Sequence, residues 1–159
     1  MQPRRYRFSS AFNLAAPRER VHGVLVDLEA YCEWWPQVRA VGKLDDDRAL
    51  VVCRSALPYE LELELTARSR AAEKLEVGID GPIRGWARYH LADLGPGVTS
   101  LQFEQEVYAV DRLMALASYV ARPLLVWNHH RMMAGAVRGL RETLERGRPG
   151  QSSAATAAS

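Results

Sequence analysis

Between residues 38 and 110 the chain alternates apolar and polar side chains again and again, and this limits what it can fold into. The run YELELELTAR (59–68) is the clearest case: Leu61, Leu63 and Leu65 alternate with Glu60, Glu62 and Glu64. Successive side chains of a strand point to opposite faces, so this strand has one oily face and one wet face. VRAVGKL (38–44) and ALVVCR (49–54) flank an acidic DDD turn. KLEVGID (74–80) and RGWARYHL (84–91) flank Gly81–Pro82, and GPG (95–97) leads into VTSLQFEQEVYAV (98–110). Links this short join neighbouring antiparallel strands, so a meander is the simplest topology.

An earlier strand precedes these. In YRFSSAFNL (6–14), Tyr6, Phe8, Phe12 and Leu14 share one face. A helix is expected at about Ala16–Leu28, where Val21, Val24, Leu25 and Leu28 form one stripe and Pro17 suits the first turn. A second short helix should end near Trp35, because Pro36 disfavours helical backbone before it. Trp34 and Trp35 need a surface to pack on; the first helix and the sheet edge are nearest. Residues 111–146 read as helical, with Pro123 kinking or dividing the segment. The tail 147–159 lacks large apolar residues and reads as disordered. Residues 1–146 therefore form one α+β domain. A seven-stranded curved antiparallel sheet wraps around a long C-terminal helix, with two short helices after strand 1. One rod over a wide concave sheet leaves room for a cavity.

Composition removes several function classes. Net charge is +2 over 159 residues, with 48% hydrophobic and 25% charged, and the basic residues are spread out. No concentrated basic face points to nucleic acid. The longest apolar run, LMALASYVARPLLVW (113–127), is interrupted by Arg122 and Pro123 and is too short to span a bilayer. The basic N-terminus is not followed by the apolar stretch of a secretory signal. Cys32 and Cys53 form neither a CxxC pair nor a metal spacing, so free thiols in a reducing cytoplasm are expected. There is no GxSxG elbow, phosphate loop, dinucleotide fingerprint or HExxH. No cofactor and no metal are expected.

The order of elements, together with DLEAYCEWWPQV, GPIRGWARYHL and GVTSLQF, resembles the polyketide cyclase/dehydrase branch of the START-like (SRPBCC) superfamily. The resemblance covers about residues 5–146. It implies a helix-grip fold with a hydrophobic cavity between sheet and long helix, opening near the short helices. It also implies a ligand of lipid, sterol, polyketide, quinone or hormone type, and in some members cyclisation or aromatisation. Catalytic residues differ between subgroups, so none transfers to this chain.

The two adjacent histidines of VWNHHRMM (126–133) pose the sharpest question. On a helical wheel, Val126, Met133, Val137, Leu140 and Leu144 cluster within about 60°. His130 lies to one side and His129 to the other. Met132 and Ala136 extend the apolar arc, while Asn128 and Arg131 fall opposite. Adjacent residues diverge by about 100°, so the pair does not chelate one metal. Each is either a buried neutral imidazole tied to a carbonyl or tyrosine, or a polar group on a cavity wall; His130 fits the second role better than His129. On 84–91, either Ala87, Tyr89 and Leu91 face inward or Trp86, Arg88 and His90 do; the first set is more apolar. Gln105 lies in phase with Leu101, Phe103 and Val107. The expected site is then an apolar wall of Leu61, Leu63, Val77, Leu101, Phe103, Met133 and Val137. Tyr89, Gln105, Trp127 and His130 complete it, with His130 and Tyr89 as candidates for any catalysis. Three functions stay open: binding of a hydrophobic small molecule, a polyketide aromatase/cyclase or dehydratase, and a protein-interaction module of the ribosome- or chaperone-associated type. An exposed Trp34–Trp35 patch would favour the last. The oligomeric state is not set by the sequence.

Overall fold

A computed structural model describes residues 4–54, 59–110, 115, 116, 119 and 121–147. Seven strands form one sheet: β1 (Arg5–Leu14), β2 (Val38–Lys43), β3 (Arg48–Arg54), β4 (Glu60–Ala71), β5 (Lys74–Asp80), β6 (Ile83–Gly95) and β7 (Val98–Ala109). Their order is β1-β7-β6-β5-β4-β3-β2, with every neighbouring pair antiparallel. Bulges at Val38/Ala40, Ala67/Ser69 and Asp93/Gly95 supply bends and extra twist, which curl the sheet. After β1 come α1 (Arg18–Val26), a single 3₁₀ turn (Leu28–Ala30) and α2 (Tyr31–Trp34). The last helix, α3, spans Arg122–Arg146.

Pro123 divides the expected helical segment, and a new helix, α3, opens at it. The proline occupies the first turn, where its missing N–H leaves no bond unmade. Residues 115, 116 and 119 are helical, Ala121 is a bend and α3 begins at Arg122, while 111–114, 117, 118 and 120 lie outside the described residues. Most of the expected disordered tail, 148–159, also lies outside them. Gly147 ends α3, its N–H donating to the Thr143 carbonyl at 3.2 Å. Arg20 of α1 donates to the Leu144 carbonyl at 2.7 Å, placing a cation at the negative helix end.

The sheet's two faces separate as the alternation demands. Phe8, Gln105, Ala87, Val77 and Ala67 are partners in successive pairings and form one row across the concave face. The convex face carries ion pairs such as Arg88–Glu76 (2.8 Å) and Arg7–Glu106, with Arg88 also 4.4 Å over the Trp86 ring. Of the two parities considered for β6, the structure therefore has Ala87, Tyr89 and Leu91 inside.

The core sits under the C-terminal half of α3. Ala136, Leu140 and Leu144 pack there with Leu14, Val21, Leu25, Trp34, Leu91 and Leu101. The backbone of α3 makes its close approaches to α1 and α2 rather than to the strands. At the crossing, a Cβ on Gly139 would stand 1.6 Å from the Trp34 carbonyl oxygen. Only a residue without a side chain allows this approach. Gly139→Ala is expected to destabilise the protein by about 3 kcal/mol, the upper part of the overpacking range, in a denaturant melt. A loss under about 0.5 kcal/mol would mean the crossing is looser than the structure shows.

Candidate functional site

The concave sheet face and the N-terminal half of α3 enclose a cavity of about 470 Å³. That lies within the range of small-molecule sites. Its floor is apolar: Leu63 and Leu65 from β4, Val77 from β5, Ala87 from β6 and Phe103 from β7. The small side chain of Ala87 opposite Gln105 helps keep the floor open. Leu125, Met132 and Met133 of α3 form the roof, and Trp35 closes one side, its indole N–H donating to the Met132 carbonyl at 3.1 Å. The Val26–Glu29 segment and the exposed β2–β3 turn line the rim.

Three polar side chains interrupt this lining, Asn128 and His129 from α3 and Gln105 from β7. His129 stacks on Phe8, with ring centroids 3.5 Å apart and planes 11° from parallel. Its Nε2 lies 2.8 Å from Gln105 Oε1. An amide oxygen only accepts, so Nε2 carries the proton and Nδ1 keeps its lone pair. Nδ1 is buried with no partner. Desolvation, reinforced by neighbouring His130, lowers the His129 pKa to about 4, so the ring is neutral near pH 7. Asn128 is 7% exposed. Its amide nitrogen is 4.0 Å from Met132 Sδ, and its buried Oδ1 has no partner.

On the sheet side, Tyr89 lies near Tyr31, whose hydroxyl donates to the Leu25 carbonyl at 2.7 Å. Burial holds both phenols above the usual tyrosine range. Burial, with a smaller effect from Cys32, pushes the Cys53 thiol up to about 11, so it stays protonated and is a weak nucleophile. Among the described residues no group of three or more His, Cys, Asp or Glu side chains is placed to hold a metal. Among them, too, no helix is long and apolar enough to cross a membrane.

The expected site residues divide into two groups. Leu61, Leu63, Val77, Tyr89, Phe103, Gln105 and Met133 line the cavity. Leu101 points to the same side but is 1% exposed and lies within the solid core. Trp127 (48% exposed) and His130 are on the outer side of α3, and Val137 is half-buried away from the cavity. The reason is the phase of the helix. Gly135 faces the Gln37 side chain and Gly139 the Trp34 backbone. Seating this glycine edge on α2 turns the buried arc by roughly 80° from the wheel drawn through the bulky residues. The turn brings Asn128, His129 and Met132 inward and carries Trp127 and His130 out.

No family model matches this sequence, and no curated protein does either. Solved structures do. A START superfamily protein from Mycobacterium smegmatis superposes with TM-score 0.75 at 16% identity, over 88% of this chain and 97% of that one. The Zhui aromatase/cyclase from Streptomyces sp. R1128 gives TM-score 0.77 at 14% identity, over 90% of this chain and 95% of that one. This chain has the START-like fold. The di-domain aromatase/cyclase BexL of the BE-7585A biosynthetic pathway also matches, with TM-score 0.71 at 14% identity, over 91% of this chain and 51% of that one. At such identities the likeness establishes the helix-grip architecture and no residue role.

Within this START-like fold, Asn128, Trp35 and Phe8 line the site although the expected set did not name them, and His129, left open between a tied-off imidazole and a cavity-wall group, lines it too. The signal for Asn128 and His129 is the glycine pair at 135 and 139, which sets the helix phase, whereas the alternation of β1 already put Phe8 on the apolar face. The depressed His129 pKa has a stability consequence. An unfolded histidine titrates near 6.5, so between about pH 6.5 and 4 the unfolded chain binds the extra proton. Stability from this group is therefore complete above that window and is lost as pH falls through it, by on the order of 3 kcal/mol. His129→Phe, which keeps a ring on Phe8, is expected to flatten the stability–pH curve between about pH 4 and 6.5 relative to wild type. Parallel curves in urea melts would place the ring in water.

Proposed function

We propose that the protein binds an apolar small molecule, of polyketide, lipid or quinone type, in the cavity between the sheet and α3. The observation that carries this reading is a floor and roof of aliphatic, aromatic and thioether side chains with a few polar groups at one wall. Met132 and Met133 give the roof flexible, polarisable surface that adapts to shape. A ligand burying about 300 Å² of apolar area gains roughly 7 kcal/mol before association costs.

An aromatase/cyclase needs a group that exchanges a proton near neutral pH. The Zhui likeness favours this second reading, but the titrating groups at the cavity do not. His129 is held near 4, Tyr89 is held above its ordinary value and Cys53 is near 11. His130, the other candidate for proton transfer, is exposed on the outer side of α3. Binding is therefore the better-supported function. The protein-interaction reading asked for an exposed tryptophan pair. Trp34 is 5% exposed and stacked on half-buried Trp35, which leaves no such patch at α2.

Filling the floor tests the proposal. N-phenyl-1-naphthylamine is expected to bind the wild-type protein with a fluorescence rise. Ala87→Phe and Leu63→Trp should each weaken that binding roughly tenfold or more while the protein stays folded. Unchanged binding in both folded variants would put the probe elsewhere and remove the cavity reading.

A further inference from the structure

The polar wall of the cavity has a donor–acceptor imbalance. Asn128 Oδ1 and His129 Nδ1 are both acceptors, both closed off from solvent, and neither meets a donor. A buried acceptor left unpaired is destabilising, and a chain that only needed to fold would place leucine at such a position. Gln105 supplies the complementary group. Its carbonyl oxygen is taken by His129, its amide nitrogen meets no acceptor among the described residues, and the residue lines the cavity.

We infer that the cavity selects an uncharged apolar molecule carrying a hydroxyl group, and that this hydroxyl docks at the Asn128–His129–Gln105 cluster. The inference rests on the cavity-binding reading above and names the ligand chemistry of that site. The hydroxyl donates to Asn128 Oδ1, reached by rotation about the soft amide torsion, and its oxygen accepts from the Gln105 amide. A hydroxyl is the smallest group that both gives and takes a hydrogen bond in one position. A ketone or ether gives none and leaves Asn128 unpaired.

A carboxylate is excluded for a different reason. It brings a third acceptor and a negative charge to a wall already rich in acceptors, beside an imidazole that stays neutral. The cations that line the cavity are at the rim and engaged there. Arg48 pairs with Asp45 at 2.7 Å, Arg70 with Asp47 at 2.7 Å, and Lys43 with Asp46 at 3.1 Å. Arg88, the nearest cation on β6, is on the convex face with Glu76 and Glu104. A fatty acid or other carboxylate therefore finds no counter-ion at depth.

Displacement of N-phenyl-1-naphthylamine by 2-naphthol, 2-methoxynaphthalene and 2-naphthoate tests this directly, because the three share one skeleton. At about pH 7 the wild-type protein should prefer the naphthol over the methyl ether by roughly tenfold, one hydrogen bond's worth of affinity. The naphthoate should be the weakest of the three. In Asn128→Leu the naphthol-to-ether ratio should fall to near one, and the ligand-free variant should melt higher than wild type, because an unpaired buried acceptor has gone. A structural asparagine would instead lower the melting temperature when replaced. Equal affinities for naphthol and ether in the wild-type protein, or naphthoate binding tightest, would overturn the inference while leaving the cavity reading intact. Failure of the reporter itself to bind would remove the cavity reading. The wild-type ratios decide the matter even if the variant does not fold.

Discussion

The space in this protein depends on where its last helix is anchored. The Gly139 backbone of α3 meets the Trp34 carbonyl of α2 at a distance no side chain tolerates, and Arg20 holds the far end of the helix through the Leu144 carbonyl. That clamp fixes the C-terminal half of α3 against α1 and α2, over a solid core of Leu14, Val21, Leu101 and Leu140. The N-terminal half projects from this clamp across the concave sheet without resting its backbone on it. It is held off by side chains: His129 bridges to Phe8 and Gln105, and Trp35 props the Met132 carbonyl. The cavity is the volume between these props and the clamp.

The same clamp explains the chemistry of the site. By fixing the helix phase it decides that Asn128 and His129 face inward and that His130 and Trp127 face out. Desolvation then acts on what it has turned inward. His129 loses its proton affinity, and Tyr89 and Cys53 keep their protons. The interior is thus uncharged at neutral pH, with its cations paired at the rim or on the convex face. Such an interior suits a neutral oily guest and gives little purchase to proton-transfer chemistry.

Much of this was legible in the sequence. A strand period of two is hard to disguise, so Leu61, Leu63 and Leu65 declared their face, and short turns between runs dictated a meander. The inward set on β6 followed from its greater apolarity. What was not legible was the rotation of α3. Apolar residues lie on both sides of its apolar arc: Val126 and Val137 on one, Met132 and Ala136 on the other. A wheel weighted by size follows the first pair. The helix instead follows its smallest residues, because close backbone crossing gains more contact than one valine, and glycine carries no hydrophobic signal. Pro123 was read as kinking or dividing the segment, and it divides it: residues 115, 116 and 119 are helical, and proline then suits the first turn of α3.

The most direct test of the account is to locate a bound apolar molecule by NMR. With N-phenyl-1-naphthylamine bound to the protein, intermolecular NOEs should run to the Met132 and Met133 methyl groups and to the Phe103 ring, and should be missing at Trp127 and Leu124. NOEs confined to Trp127 and Leu124, with the methionine methyls silent, would show the probe on the outer face of α3 and contradict an open interior beneath it.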